Sequence, residues 1–286
     1  MWGRVEPRLP QPSDPPRFEA LSEAASHGAS LWHHPGVPSD ESRSALGRPG
    51  TTRLIEWTGE RCVPWAPDVQ VVYEHLHRYL WAAELVEGRR VLDLASGEGF
   101  GAAVLARSAR SVVGVDIDER TVEHSRLNYK MSGLSFAVAD AQDLTTFDDG
   151  SFDAVVALEM IEHVEDQARV LDEVQRVLTP DGFLILSTPD REAYGEASPQ
   201  ENPFHVHELD RGELVELIQP RFKRLATFGQ RTITGSALSA LDDVGRSGTE
   251  KPARSFFVER VGDEWQVAPA VSPLYIVAVA SNGQLP

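Results

Sequence analysis

The chain has 286 residues, 41% of them hydrophobic, and 44 acidic side chains against 27 Lys and Arg give it a formal net charge of −17. That balance disfavours a nucleic-acid substrate, because phosphate contacts need clustered Lys and Arg. No run approaches the ~20 apolar residues of a membrane-spanning helix, and one cysteine, Cys62, excludes an internal disulfide or a multi-cysteine zinc site.

Residues 1–50 include Gln11-Pro12-Ser13-Asp14-Pro15-Pro16 and similar stretches, which offer no periodic apolar face. They are expected to form a disordered N-terminal extension. They also lack the apolar core of a secretory signal, so a cytoplasmic location is expected. The folded domain is expected over 51–286.

From there the elements follow in order. Val72, Leu76, Tyr79, Leu80 and Ala83 fall at helical spacing within 71–87, and Gly88 is placed to end that helix. A strand is predicted at 90–94, then a glycine-rich turn and a helix to about residue 109. Strands at 111–115, 134–139, 152–158 and 182–187 alternate with helices at 119–131, 165–178 and 211–218. Two late strands are expected at 222–229 and 274–280. Small insertions are expected at about 190–210 and 230–273, the second as a loop or cap. Alternation of this kind predicts an α/β, Rossmann-like sheet, mostly parallel, with helices on both faces.

The turn Asp93-Leu94-Ala95-Ser96-Gly97-Glu98-Gly99 joins the first strand to the next helix. Small residues there let the backbone turn tightly against a ligand at the helix start. Gly97-x-Gly99-x-x-Ala102 also fits the weak dinucleotide fingerprint, so the glycines alone do not choose a cofactor. Asp93 would repel a pyrophosphate but suits an ammonium group. Asp116 ends the second strand, where an acid can hold ribose hydroxyls. Asp140-Ala141 ends the third, where a carboxylate and a backbone N–H can hold an adenine edge. Three acids at three successive strand ends favour S-adenosylmethionine (SAM).

At this point residues from about 57 to 230 resemble the class I SAM-dependent methyltransferases. They are particularly similar to a bacterial group found beside glycan and natural-product biosynthesis enzymes. Matching stretches include Thr58-Gly59-Glu60-Arg61, His75-Leu76-His77-Arg78-Tyr79, residues 93–101, Gly114-Val115-Asp116-Ile117-Asp118, Glu159-Met160-Ile161-Glu162-His163-Val164, Ser187-Thr188-Pro189 and Asn202-Pro203-Phe204-His205. The resemblance implies a seven-stranded sheet whose last two strands form an antiparallel hairpin. It also implies a cofactor site of Asp93, Ala95, Ser96, Gly97, Gly99, Asp116, Ile117, Asp140, Ala141 and Glu159. Ser96 stands where many relatives carry Cys or Gly.

Glu159, Glu162 and His163 are spaced i, i+3, i+4 and would share one face if the stretch is helical. His205 and His207 follow the fifth strand. Two carboxylates with one or two imidazoles suit a divalent metal. The arrangement resembles plant small-RNA 2′-O-methyltransferases and ubiquinone-pathway O-methyltransferases. That likeness implies that Glu159, Glu162, His163 and His205 hold Mg2+ or another divalent metal against a substrate hydroxyl. The same residues also suit a metal-free base, His163 or His205, or a purely structural helix start. His75, His77 and Arg78 are placed either to line the cofactor pocket or to pack.

The leading expectation is O-methylation of a small-molecule or glycan-linked acceptor, with no nucleic acid, and with a homodimer as one oligomeric option. An N-methyltransferase on an amino sugar or amino-acid-derived scaffold is the close alternative. A nicotinamide-dependent oxidoreductase and a non-catalytic SAM-binding subunit are the other two.

Overall fold

A strand buried on both sides reads as a continuous apolar run, and 154–158, 183–186 and 275–280 are such runs. In the computed structural model, which describes residues 55, 62–64, 69–197, 202–232, 257–261, 264–268 and 273–286, they sit side by side in one sheet. The predicted extension at 1–50 lies outside the described residues, as do parts of both predicted insertions.

The elements are α1 (Val69–Leu85), β1 (Arg90–Leu94), α2 (Phe100–Leu105), β2 (Ser111–Asp116), α3 (Glu119–Asn128), β3 (Leu134–Val138), β4 (Phe152–Leu158), α4 (Gln167–Val177), β5 (Leu178–Pro189), α5 (Arg191–Ala197), α6 (Arg211–Ile218), β6 (Arg224–Gln230), β7 (Phe257–Val261), β8 (Glu264–Ala268) and β9 (Tyr275–Ser281). Seven strands form a sheet in the order β3-β2-β1-β4-β5-β9-β6. The first five are mutually parallel, and β9 runs antiparallel to both β5 and β6. The expected late antiparallel pair is therefore present, with β9 inserted inside β6. That placement explains why every residue of β9 is buried while β6, the true edge, is half to fully exposed. The expected loop or cap at 230–273 contains a separate antiparallel pair, β7–β8.

Two apolar clusters cover the two faces. One joins Leu92, Val155, Leu184 and Ile276 to Val170, Leu171, Val174 and Val177 of α4. The other joins Val91, Val156, Ile185 and Val277 to Tyr79 and Ala82 of α1. Alternating residues of the same strands feed opposite clusters, as the pleat requires. Local signals fix the helix starts. Asp118 and Asp166 cap α3 and α4, and Asp210 with Glu213 forms a capping box on α6.

Strand order reverses at β1: the chain winds outward to β2 and β3, then returns to β4 on the other side. Connections leave that crevice in opposite directions, opening a cleft at the carboxyl ends of β1 and β4. The condition under which Glu159, Glu162 and His163 would share one helical face is not met here. Residues 159–163 are not a helix: Glu159 adopts φ +51°, and only Ile161–His163 forms a single 3-10 turn. The cause lies at the end of β4, where the Glu159 N–H bonds to the Ser187 carbonyl at 3.0 Å and keeps the chain on the sheet.

Candidate functional site

The cleft at the switch point holds a cavity of about 640 Å³, within the usual range for a small-molecule site. A groove of about 760 Å³ lies elsewhere, against Leu178, Thr179 and Phe222, and carries none of the predicted site residues. Ala95, Ser96, Gly97, Asp116, Ile117, Asp140, Ala141, Glu159, Glu162, His163 and His205 all line the first cavity. Asp93 and Gly99 do not reach its wall.

Those two lie beneath the turn. Asp93 is fully buried and accepts the Tyr79 hydroxyl at 3.2 Å. Burial pushes its pKa up to about 8; the Tyr79 hydrogen bond opposes this and the charge of Asp116 adds to it. Gly99 adopts φ +100°, and a Cβ there would lie 2.9 Å from Ser125 Cβ. Only glycine serves such a position. Ala95 also takes a left-handed backbone, φ +59°, a conformation that costs a non-glycine residue energy and clusters at functional sites.

Asp116 is gripped through both oxygens. Oδ2 accepts the Gly97 N–H at 3.0 Å and Oδ1 the Asp118 N–H at 2.9 Å. The carboxylate thus ties the turn after β1 to the end of β2. Asp140 accepts the Gln142 N–H at 2.8 Å and holds the bend after β3. Ile117, 70% exposed, projects an apolar side chain at the cavity mouth.

Across the cavity, Glu159 accepts the Ser187 hydroxyl at 2.6 Å and lies 3.7 Å from the Arg78 guanidinium. Arg78 is itself buried, donates to Gln230 at 2.6 Å, and stacks over the Tyr275 ring at 4.8 Å. Among the described residues its Nε and second terminal nitrogen have no hydrogen-bond partner, a costly state for a buried charge.

Glu162, His163 and His205 bring three ligand atoms within 4.8 Å of one another. Glu159 is not in that group, and His207 is exposed outside it. Glu162 is buried and accepts the Thr188 hydroxyl at 3.1 Å. Burial, then the negative charge of Glu159, pushes its pKa up to about 8. Its carbonyl receives the N–H groups of Val206 and His207, pinning the His205 loop over the 3-10 turn. His163 Nδ1 faces the Phe204 carbonyl at 3.0 Å, so Nδ1 carries the proton and Nε2 the lone pair. His205 Nδ1 faces the Glu208 carboxylate. Metal-binding imidazoles characteristically donate their second ring nitrogen to a carbonyl or carboxylate, so this donor set fits a divalent cation.

Sequence reasoning missed several residues around the site. Glu98 is buried under the turn, where it accepts hydrogen bonds from His124 Nε2 and the Tyr129 hydroxyl. Tyr194, Tyr275 and Glu208 were also missed. Only Glu208 left a signal, three residues after His205. Cys62 lines the cavity, and burial pushes its thiol up to about 12, which leaves it a packed, unreactive group.

Residues 92–186 match the family model of a methyltransferase domain. A probable S-adenosylmethionine-dependent methyltransferase of Mycolicibacterium smegmatis is 38% identical over 195 residues, 65% of this chain and 71% of that protein. Another of Mycobacterium tuberculosis is 39% identical over 58% of this chain, which spans 60% of that relative's length. A ubiquinone biosynthesis O-methyltransferase of Thiobacillus denitrificans is 35% identical over 37% of this chain and 47% of its own. A chain from the Haloferax volcanii complex of the Trm112 methyltransferase activator with a methyltransferase shares the fold. Its TM-score is 0.51 at 20% identity, over 74% of this chain and 90% of that one.

Proposed function

Because this chain belongs to the S-adenosylmethionine-dependent methyltransferases, we propose that it methylates a hydroxyl of a small-molecule or glycan-linked acceptor, with a divalent metal beside the cosubstrate. The observation that carries this reading is the convergence of Glu162, His163 and His205 on the same cavity as the cofactor turn. An aliphatic hydroxyl is a poor nucleophile at neutral pH and needs a base or a Lewis acid. An amine needs only a neutral lone pair, so a built oxygen/nitrogen donor set argues for methyl transfer to oxygen. Local likeness to ubiquinone biosynthesis O-methyltransferases supports the same choice, and the excess of acid supports a small acceptor over nucleic acid.

In this reading Asp116, fixed by two N–H groups, accepts the ribose hydroxyls. Asp140 and the Ala141 N–H take the adenine edge, with Ile117 covering the ring. Ala95, Ser96 and Gly97 give the backbone close approach, and Asp93 braces the turn from below through its hydrogen bond with Tyr79. Glu159, held by Ser187 beside Arg78, faces the methionine end. When bound, the cosubstrate supplies an electrophilic methyl carbon open to in-line attack. Glu162, His163 and His205 would hold the metal, Mg2+ or another divalent ion, while Glu159 of the sequence motif stands outside that group; when bound, the metal would act as a Lewis acid on the acceptor oxygen.

A second reading is metal-free. It is favoured by Glu208 on His205 Nδ1, since a carboxylate-oriented imidazole is also a competent base. The deciding experiment offers SAM with matched hydroxyl and amine acceptors from glycan and natural-product scaffolds, read by mass spectrometry. Methyl groups on oxygen support the proposal; methyl groups found only on nitrogen overturn it.

A further inference from the structure

His205 belongs to the loop at 202–208, outside any helix or strand, so its ring depends on side-chain partners for one orientation. Its side chain is 7% exposed, and Glu208 Oε1 lies 2.5 Å from Nδ1. A carboxylate held against a ring nitrogen accepts, so Nδ1 carries the proton. On the other side of the ring, Asn202 Nδ2 lies 3.0 Å from Nε2. The Asn202 amide is oriented independently, because its Oδ1 accepts the Phe204 N–H at 3.0 Å. The amide nitrogen therefore faces His205 and donates, which makes Nε2 the acceptor. Two partners on opposite edges of the ring demand the same neutral tautomer.

We infer that Glu208 is the positioning residue of the transfer site, holding His205 as the Nδ1–H tautomer with its Nε2 lone pair turned into the cavity. Asn202 occupies that lone pair until a metal ion or an acceptor hydroxyl takes its place. The inference rests on the reading that His205 serves methyl transfer, and it holds whether His205 acts as ligand or as base. Asn202 and His205 line the cavity while Glu208 does not, so Glu208 acts through the imidazole and not on the acceptor. His163 obtains the same tautomer from a backbone carbonyl, so a change at Glu208 leaves it as an internal reference.

The test is long-range 15N–1H correlation of the imidazoles, with S-adenosylhomocysteine and Mn2+ titrations on the same full-length samples. In the wild type His205 is expected to carry its proton on Nδ1. Glu208→Ala is expected to move the proton toward Nε2 and to weaken Mn2+ binding about 10- to 100-fold. Affinity for S-adenosylhomocysteine should stay within about twofold, which reports an intact fold. Glu208→Gln, whose amide oxygen still accepts, should keep the tautomer and lose less, and it replaces the alanine variant if that one fails to fold. Asn202→Ala should leave the tautomer unchanged. A wild-type proton on Nε2, an unchanged tautomer in Glu208→Ala, or a shift in Asn202→Ala alone would overturn the inference. A wild type that binds no Mn2+ sinks the metal reading instead, while the tautomer still decides the role of Glu208.

Discussion

Ser187 and Glu159 are joined by three hydrogen bonds: the serine hydroxyl donates to Glu159 Oε1 at 2.6 Å, and the Glu159 N–H is shared between the Ser187 carbonyl at 3.0 Å and its hydroxyl oxygen at 3.2 Å. The pair spans β5 and the end of β4, and it holds Glu159 at φ +51°. A left-handed non-glycine residue costs about 1–3 kcal/mol and persists only where its surroundings over-determine it. Here the over-determination fixes a carboxylate in the wall of the cavity.

Ser187→Ala removes the two side-chain hydrogen bonds of that clamp. A hydrogen bond to a charged group contributes about 1.5–3 kcal/mol, so affinity for S-adenosylhomocysteine should fall about tenfold or more by calorimetry. Unaltered affinity would mean that Glu159 does not face the ligand.

Gly101 allows α1 and α2 to touch. A Cβ there would meet the Tyr79 ring at 2.0 Å, and Tyr79 is the group that donates to Asp93. Gly101→Ala is expected to destabilise by about 1–3 kcal/mol through overpacking, seen in urea unfolding, and to weaken S-adenosylhomocysteine binding. A stable variant with wild-type affinity would contradict this account of the turn's support.

Much of this was legible beforehand because periodicity reports burial. The predicted strands 90–94 and 152–158 and the helix 211–218 coincide with β1, β4 and α6, since each combines a regular apolar pattern with turn or cap residues at its ends. The placement of the acids at 116 and 140 in the cavity wall was readable for a similar reason, as strand ends in a parallel sheet converge on one edge, whereas Asp93 lies buried beneath the turn. What was not legible depended on tertiary contact. Nothing local announces that Glu159 turns left-handed, because the partner that imposes it, Ser187, is 28 positions away. The insertion of β9 between β5 and β6 is likewise a pairing choice that no periodicity encodes.

The pH dependence of stability isolates Asp93. Burial raises its folded pKa to about 8 from the ordinary 3.8, so between those values the folded state holds a proton that the unfolded state has lost. Stability from this group is present at low pH and is lost as pH rises toward 8, by at most ~1.4 kcal/mol per pH unit. In ligand-free protein, Asp93→Asn should keep the Tyr79 contact and flatten the decline in melting temperature between pH 5 and pH 8. An identical decline in both proteins would show that Asp93 is ionised in the fold.

Asp116 should matter for binding more than for folding, since its two oxygens organise the turn and the bend after β2. Asp116→Ala is expected to lower S-adenosylhomocysteine affinity by at least tenfold, about 1.4 kcal/mol. A loss of less than twofold would remove Asp116 from the ribose site.

The most direct test of the account is metal dependence of the methylation itself. Protein dialysed against EDTA, given SAM and a hydroxyl acceptor found in the paired panel, is assayed for O-methylated product with and without added Mg2+ or Mn2+. We expect activity to vanish on chelation and return with the metal in the wild type, and to stay low in Glu162→Gln under both conditions. Full activity in EDTA together with an active Glu162→Gln variant would contradict a metal-assisted transfer at Glu162, His163 and His205.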